Sequence, residues 1–279
     1  MGIVETLLVT TALAGVVGTG IGGLIGALLQ KESARIVSLL LSFAGGVMLS
    51  VVCFDLVTEA LETNVGVLAV IGAIAIGVTV TFLLNHLIDK KVNPEVPHID
   101  ENHPKTADHL NELIHSDHLE QHYANKDGKL GLFIAGIVMA AAIALHNVPE
   151  GMTIGASYAS NNGVMGSAAL TLAILIGLHN IPEGMAVSVP LISGGMKKWK
   201  AVLITAASGI PTILGALLGY ILGEIGPMGL TMSLGFASGA MLYVVFGEIL
   251  PQSILMYHSK MPAFSTIVGF LVGMLIVFL

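Results

Sequence analysis

Cysteine is almost missing from this chain: Cys53 stands alone, which excludes an internal disulfide and a thiolate metal site. Charge is scarce as well. Only 10% of the 279 residues are Asp, Glu, Lys or Arg, too few to cover the surface of a soluble domain of this length. No Lys or Arg precedes the first apolar run after Met-Gly-Ile-Val-Glu. A signal-peptide n-region is therefore lacking, and the start is expected to run on as a spanning helix. No nucleic-acid partner is expected. The net charge of −7 sits largely in one loop and says little about other partners.

What remains is apolar. Hydrophobic residues make up 54% of the chain and the mean hydropathy is +0.89, so the class is an all-α, polytopic membrane protein lying in a lipid bilayer. A hydrocarbon core takes about 20 apolar residues per spanning helix. The runs between polar breaks give eight segments, at about 3–30, 35–60, 65–88, 130–158, 164–190, 200–222, 227–253 and 263–279. The 34 glycines, in series such as Gly18-x-x-x-Gly22-x-x-x-Gly26, Gly235-x-x-x-Gly239 and Gly269-x-x-x-Gly273, read as close helix packing rather than phosphate binding.

The basic residues set the orientation. Lys31 and Arg35 separate spans 1 and 2, and Lys90, Lys91, Lys105, Lys126 and Lys129 lie between spans 3 and 4. Lys197, Lys198 and Lys200 separate spans 5 and 6, and Lys260 separates spans 7 and 8. All eleven fall in alternate loops, which predicts eight transmembrane helices with both termini outside. The loop at 90–129 holds His98, His103, His109, His115, His118 and His122 among acids. It is predicted to be cytoplasmic and mostly disordered, a solvated tether able to chelate metal loosely, since its histidines lack the spacing of a folded zinc module.

One heptapeptide occurs twice: His146-Asn-Val-Pro-Glu-Gly-Met152 and His179-Asn-Ile-Pro-Glu-Gly-Met185. Residues four apart share a helix face, so His146 pairs with Glu150 and His179 with Glu183, while Asn147 and Asn180 offer amide oxygens at the neighbouring edge. Charge at mid-bilayer costs about 2.5–3.5 kcal/mol per residue on insertion scales. Chance hydrogen bonding between helices does not account for the same residues returning in the same order. The motifs fall midway along consecutive antiparallel spans, at a similar depth. Two His and two Glu can then complete a four-ligand shell without another helix. Pro149 and Pro182 each leave a carbonyl without its usual partner and predict a kink at the site. Imidazole with carboxylate suits Zn²⁺ first, with Fe²⁺, Mn²⁺, Co²⁺ or Cd²⁺ open. The metal would be cargo, and no cofactor is expected.

The duplicated motif in central spans 4 and 5, with the His-rich loop between spans 3 and 4, closely resembles the ZIP (Zrt-, Irt-like) metal transporters over essentially the whole chain. The resemblance implies uptake of divalent metal into the cytoplasm by a multi-pass cell-membrane protein, commonly a homodimer. Absence of a signal peptide and of extracellular cysteines suits a prokaryotic plasma membrane. It implies His146, Glu150, His179 and Glu183 as primary ligands, and Asn147 and Asn180, with the glutamates bridging, as a second adjacent site. Relatives often complete that second site with a Glu in span 6, where this chain has Thr212, so one dominant metal position is expected.

Other polar residues keep two readings. Met48 matches the place where relatives set a residue beside the metal, or is core filler. Asp55 and Glu59, near the outer end of span 2, collect cations at an entrance or are ordinary interfacial acids. Glu248, near the inner end of span 7, and His86, near the inner end of span 3, fit an exit path or a helix-terminal role. No enzyme is expected, because a metalloprotease helix reads His-Glu-x-x-His and neither motif does. A membrane metal sensor that binds without transporting is the alternative function.

Overall fold

The computed structural model describes residues 2–28, 34–92, 128–160 and 167–278, and among them all regular structure is helical. The six loop histidines from His98 to His122 and the Asn161-Asn162-Gly163 turn lie outside the described residues. Eight helical rods follow one another. They are α1 (Ile3–Leu28), α2 (34–62), α3 (Val67–Val92), α4 (Gly128–Ser160), α5 (Ser167–Ser193), α6 (Lys198–Glu224), α7 (227–256) and α8 (Met261–Val277).

Among the described residues, six helices are long and apolar enough to cross a membrane: α1, α2, α3, α5, α6 and α7. The apolar α8 has 17 residues and α4 has 33. Leu13, Leu68, Ile71, Leu178, Leu203 and Leu214 are each more than half exposed on the outside of the bundle. Water would not tolerate so continuous an apolar exterior, and lipid does. Asn64, with a left-handed φ of 59°, and Gly66 at 120° make the tight turn from α2 to α3.

The rods sort into two groups. α4 packs on α5 and α6, and α1 packs on α5 and the first half of α6. In the other group α2 packs on α8 and α3 on α7. The groups meet where α7 lies against α4 and α2 against α5. Glycine makes these approaches possible, since small residues let helix backbones touch. A Cβ on Gly151 would collide with the Thr212 carbonyl of α6, and one on Gly184 with the Thr19 carbonyl of α1. Across the second group, Gly46 abuts the α8 backbone at Thr266, and Gly239 abuts α3 at Ile74.

The turns that depart from α-helix lie beside the motif helices rather than within them. α4 and α5 run unbroken as helix through Pro149 and Pro182. Their neighbours are the irregular ones. α1 has a π-helical turn at Leu13–Val17, α2 at Val52–Leu56 and α7 at Val245–Ile249, and α6 is interrupted at Gly209-Ile210 before Pro211. Such turns inside helices are frequent at functional sites.

Packing through glycine gives a direct test. Gly239→Ala is expected to cost about 1–3 kcal/mol by overpacking and to lower the thermal midpoint of the purified protein in detergent. Gly72→Ala, whose methyl meets open space, should not lower it, because alanine is the better helix former.

Candidate metal centre

α4 and α5 each carry their motif at the middle of the first group, and the side chains converge. Ligand atoms of Glu150, His179 and Glu183 all lie within 4.8 Å of one another, and all three residues are buried. His179 Nε2 stands 3.1 Å from Glu150 Oε1, a contact from α5 across to α4. His146 turns to a different partner. Its Nε2 lies 2.9 Å from Glu248 Oε2 of α7.

A third helix therefore enters the site. Glu248 of α7 thus stands beside the side chains that the two motifs contribute from α4 and α5. Glu248 lies eight residues before the end of α7 and inside its π-helical turn, which re-aims the side chain toward α4. Glu150 and Glu183 both lie within electrostatic reach of His146.

The donor set fits a dication. Glu150 Oε2, both oxygens of Glu183 and Glu248 Oε1 are buried without a hydrogen-bond partner. Burying an ion unpaired costs on the order of several kcal/mol even after relaxation, and a divalent cation among Glu150, His179 and Glu183 would give the two glutamates a counter-charge. Imidazole and carboxylate together match the ligand preference of Zn²⁺.

The motif asparagines reach the neighbouring helices. Asn147 Nδ2 donates to the Ser208 carbonyl at 2.9 Å, and its Oδ1 accepts from the Thr212 hydroxyl at 3.0 Å. Asn180 Nδ2 donates to the Ala14 carbonyl at 3.1 Å. Both carbonyls belong to irregular backbone, at the break in α6 and the π turn of α1, where the helix leaves acceptors to be satisfied. The amides clasp those helices to the site, and at Asn147 the amide oxygen is already engaged by the residue that stands where relatives carry an acid.

Met48 is fully buried in the apolar cluster that also includes Met185, Met241 and Val245. Asp55 lies in the π turn of α2, with Oδ2 buried and unpartnered. Glu59 is one turn on and hydrogen-bonds Ser160 at the end of α4. His86 is not brought to the cluster. It stands exposed on α3, stacked on Phe82 with ring centroids 6.2 Å apart. Sequence reasoning missed Ser208, Thr212 and Ala14 as supports of the motif. The signals were the helix-breaking Ser208-Gly-Ile-Pro211 and the register of α1 against it.

An apolar helical bundle with buried imidazoles and carboxylates at its centre defines a membrane protein built around a cation site. Residues 5–279 match the family described as ZIP zinc transporter, and the chain belongs to that family, whose members are transporters and not enzymes. It is 32% identical over 258 residues to the zinc transporter ZupT of Clostridium perfringens, covering 87% of this chain and 85% of that one. It is 31% identical over 280 residues to ZupT of Campylobacter jejuni, covering 92% and 89%. Human zinc transporter ZIP11 is 36% identical over 140 residues, 49% of this chain and 41% of that one.

Replacing Thr212 by Val keeps the shape and removes the donor to Asn147. The amide oxygen left buried should cost about 1–3 kcal/mol, read as a lower thermal midpoint, while Zn²⁺ still binds because the glutamates and histidines are intact.

Proposed function

We propose that this protein carries divalent transition-metal cations, Zn²⁺ foremost, across the cell membrane into the cytoplasm by alternating access through the His/Glu site of α4 and α5. The observation that carries this reading is the buried convergence of Glu150, His179 and Glu183 in an apolar bundle. The relatives named as zinc transporters support the choice of metal. Asp55 and Glu59 gather the cation at the entrance, the cluster exchanges its water for His and Glu, and Glu248 receives it on the way out.

In this reading α4 and α8 also span, so all eight rods cross the membrane with both termini outside. The alternation of Lys and Arg between loops supports that arrangement. The protein is a multi-pass protein of a prokaryotic plasma membrane, and a homodimer as in its family. His146, Glu150, His179 and Glu183 hold the metal at one dominant position. Neutral Asn147, Asn180 and Thr212, two of them bonded to each other, leave a second position without charge. Ligand histidines bind as neutral imidazoles and glutamates as carboxylates, so binding weakens as the medium is acidified.

Reconstituted protein tests the reading. Glu150→Ala and His179→Ala should each abolish saturable ⁶⁵Zn uptake into proteoliposomes while inserting normally, and undiminished uptake by both rejects the site. Competition by Fe²⁺, Mn²⁺ and Cd²⁺ in the same vesicles should rank with their affinity for a His/carboxylate set.

A further inference from the structure

The two packing groups are built from a repeat. Residues 43–56 of α2 read Phe-Ala-Gly-Gly-Val-Met-Leu-Ser-Val-Val-Cys-Phe-Asp-Leu, and residues 236–249 of α7 read Phe-Ala-Ser-Gly-Ala-Met-Leu-Tyr-Val-Val-Phe-Gly-Glu-Ile. Half of the positions are identical, and Asp55 and Glu248 occupy the same place in matching π-helical turns. Packing repeats with the sequence. α1 lies on α5 as α6 lies on α4, and α2 on α8 as α7 on α3. Gly46 meets the backbone of Thr266 and Phe270, and its mate Gly239 meets that of Ile74 and Val78. Gly15 of α1 and Gly209 of α6 face each other backbone to backbone, so the axis relating the halves passes between them. The Asn147 and Asn180 clasps are mates too.

The polar partners break this symmetry. Glu248 reaches His146 at 2.9 Å, yet its mate Asp55 forms no such bond with His179 and keeps Oδ2 buried and unpartnered. Glu150 reaches His179 at 3.1 Å, yet its mate Glu183 has both oxygens buried and unpartnered. Thr212 donates to Asn147 Oδ1, while Asn180 Oδ1 has no partner. Each of these residues is the repeat mate of one that makes the corresponding contact through one atom: Glu248 Oε2, Glu150 Oε1 and Asn147 Oδ1.

Transporters with repeats of opposite topology alternate access by moving one bundle against the other around a fixed site, and exchanging the conformations of the two halves generates the other state. We infer that in the opposite-facing state Asp55 takes His179 as its partner, Glu183 takes His146, and Glu248 is released. Asp55 is then the carboxylate that α2 presents to a divalent cation beside His179, as α7 presents Glu248 beside His146 here. The exchange of acids follows from moving one group against the other, because both histidines ride on the first group and Asp55 and Glu248 on the second; the change from Glu150–His179 to Glu183–His146 takes place within the first group. This inference rests on the alternating-access reading proposed above.

The test uses the full chain in proteoliposomes, with Cys53→Ser and a protease site placed within 93–127, between α3 and α4. Asp55→Cys with His179→Cys is treated with Hg²⁺, which bridges two thiols, and the chain is then cleaved. The fragments should stay joined, and more so when Glu248→Gln is added, because losing the His146 partner favours the other state. Thr63→Cys with Thr231→Cys, whose hydroxyls sit 2.6 Å apart across the same cleavage point, reports the folded bundle. Fragments that separate in the Asp55 pair, with and without Glu248→Gln, while the Thr63 pair stays joined overturn the exchange. A second measurement needs no cysteine. Asp55→Asn should slow ⁶⁵Zn uptake about tenfold, the scale of coupling between sites, and Asp55→Glu should restore most of it; equal rates for Asn and wild type also overturn it. Wild-type ⁶⁵Zn uptake reads the transport proposal separately. Cross-linking without uptake keeps the exchange and rejects transport, whereas uptake without cross-linking rejects the exchange.

Discussion

A carboxylate buried in hydrocarbon must find a counter-charge or give up its own, and this chain sets Glu150, Glu183 and Glu248 around His146 and His179 inside an apolar bundle. Two close imidazole–carboxylate contacts absorb part of that burden. Several oxygens remain without a partner, so the set gains stability from a proton or a cation that joins it. Every other feature of the fold can be traced to holding these five side chains together at depth. Close glycine contacts bring α1 against α5 and α6 against α4, the helices that bear four of them.

Backbone satisfaction is the second constraint, and it explains where the irregular turns lie. Membrane interiors tolerate broken backbone only where protein buries it. Here the freed carbonyls of Ala14 and Ser208 point at the motif amides of Asn180 and Asn147. Each such bond is worth about 0.5–1.5 kcal/mol, but leaving the group unmet costs about 1–3 kcal/mol. The asparagine of the motif therefore reads as structural glue between three helices as much as a metal-facing group. Thr212 completes that network with a neutral hydroxyl.

Much of the fold was legible because lipid forces apolar runs and loop charges into a simple code. The helix content, the membrane class and the family followed from hydropathy, alternate Lys and Arg, and one repeated heptapeptide. Other parts were hidden for identifiable reasons. Glu248 reads as a helix-end residue on a linear chain, because no local pattern shows that a π turn aims it at His146. On a helical wheel Asn147 looks like a ligand, since the wheel cannot see the carbonyl that the break in α6 offers it. The prolines of α4 and α5 gave no sign of the irregular turns in α1 and α6, the helices against which their own rods pack. The likeness of 43–56 to 236–249 was present in the letters. Its spacing of nearly 200 residues and its reversed topology lie outside any window used to read periodicity.

The division between symmetric packing and asymmetric polar contacts has an energetic meaning. Two states of a transporter must lie within a few kcal/mol of each other, because shifting the balance from 1:99 to 99:1 already takes about 5.5 kcal/mol of differential binding. Apolar packing contributes far more than that, so it must nearly cancel between states. Repeat-related glycine contacts achieve the cancellation, since exchanging the halves replaces Gly46 on α8 by Gly239 on α3 with the same backbone-to-backbone fit. What is left to set the balance is small and local: which histidine meets which acid. A cation that engages the freed oxygens acts on that balance directly, and binding energy of ordinary size then suffices to move a bundle whose packing is indifferent to the outcome.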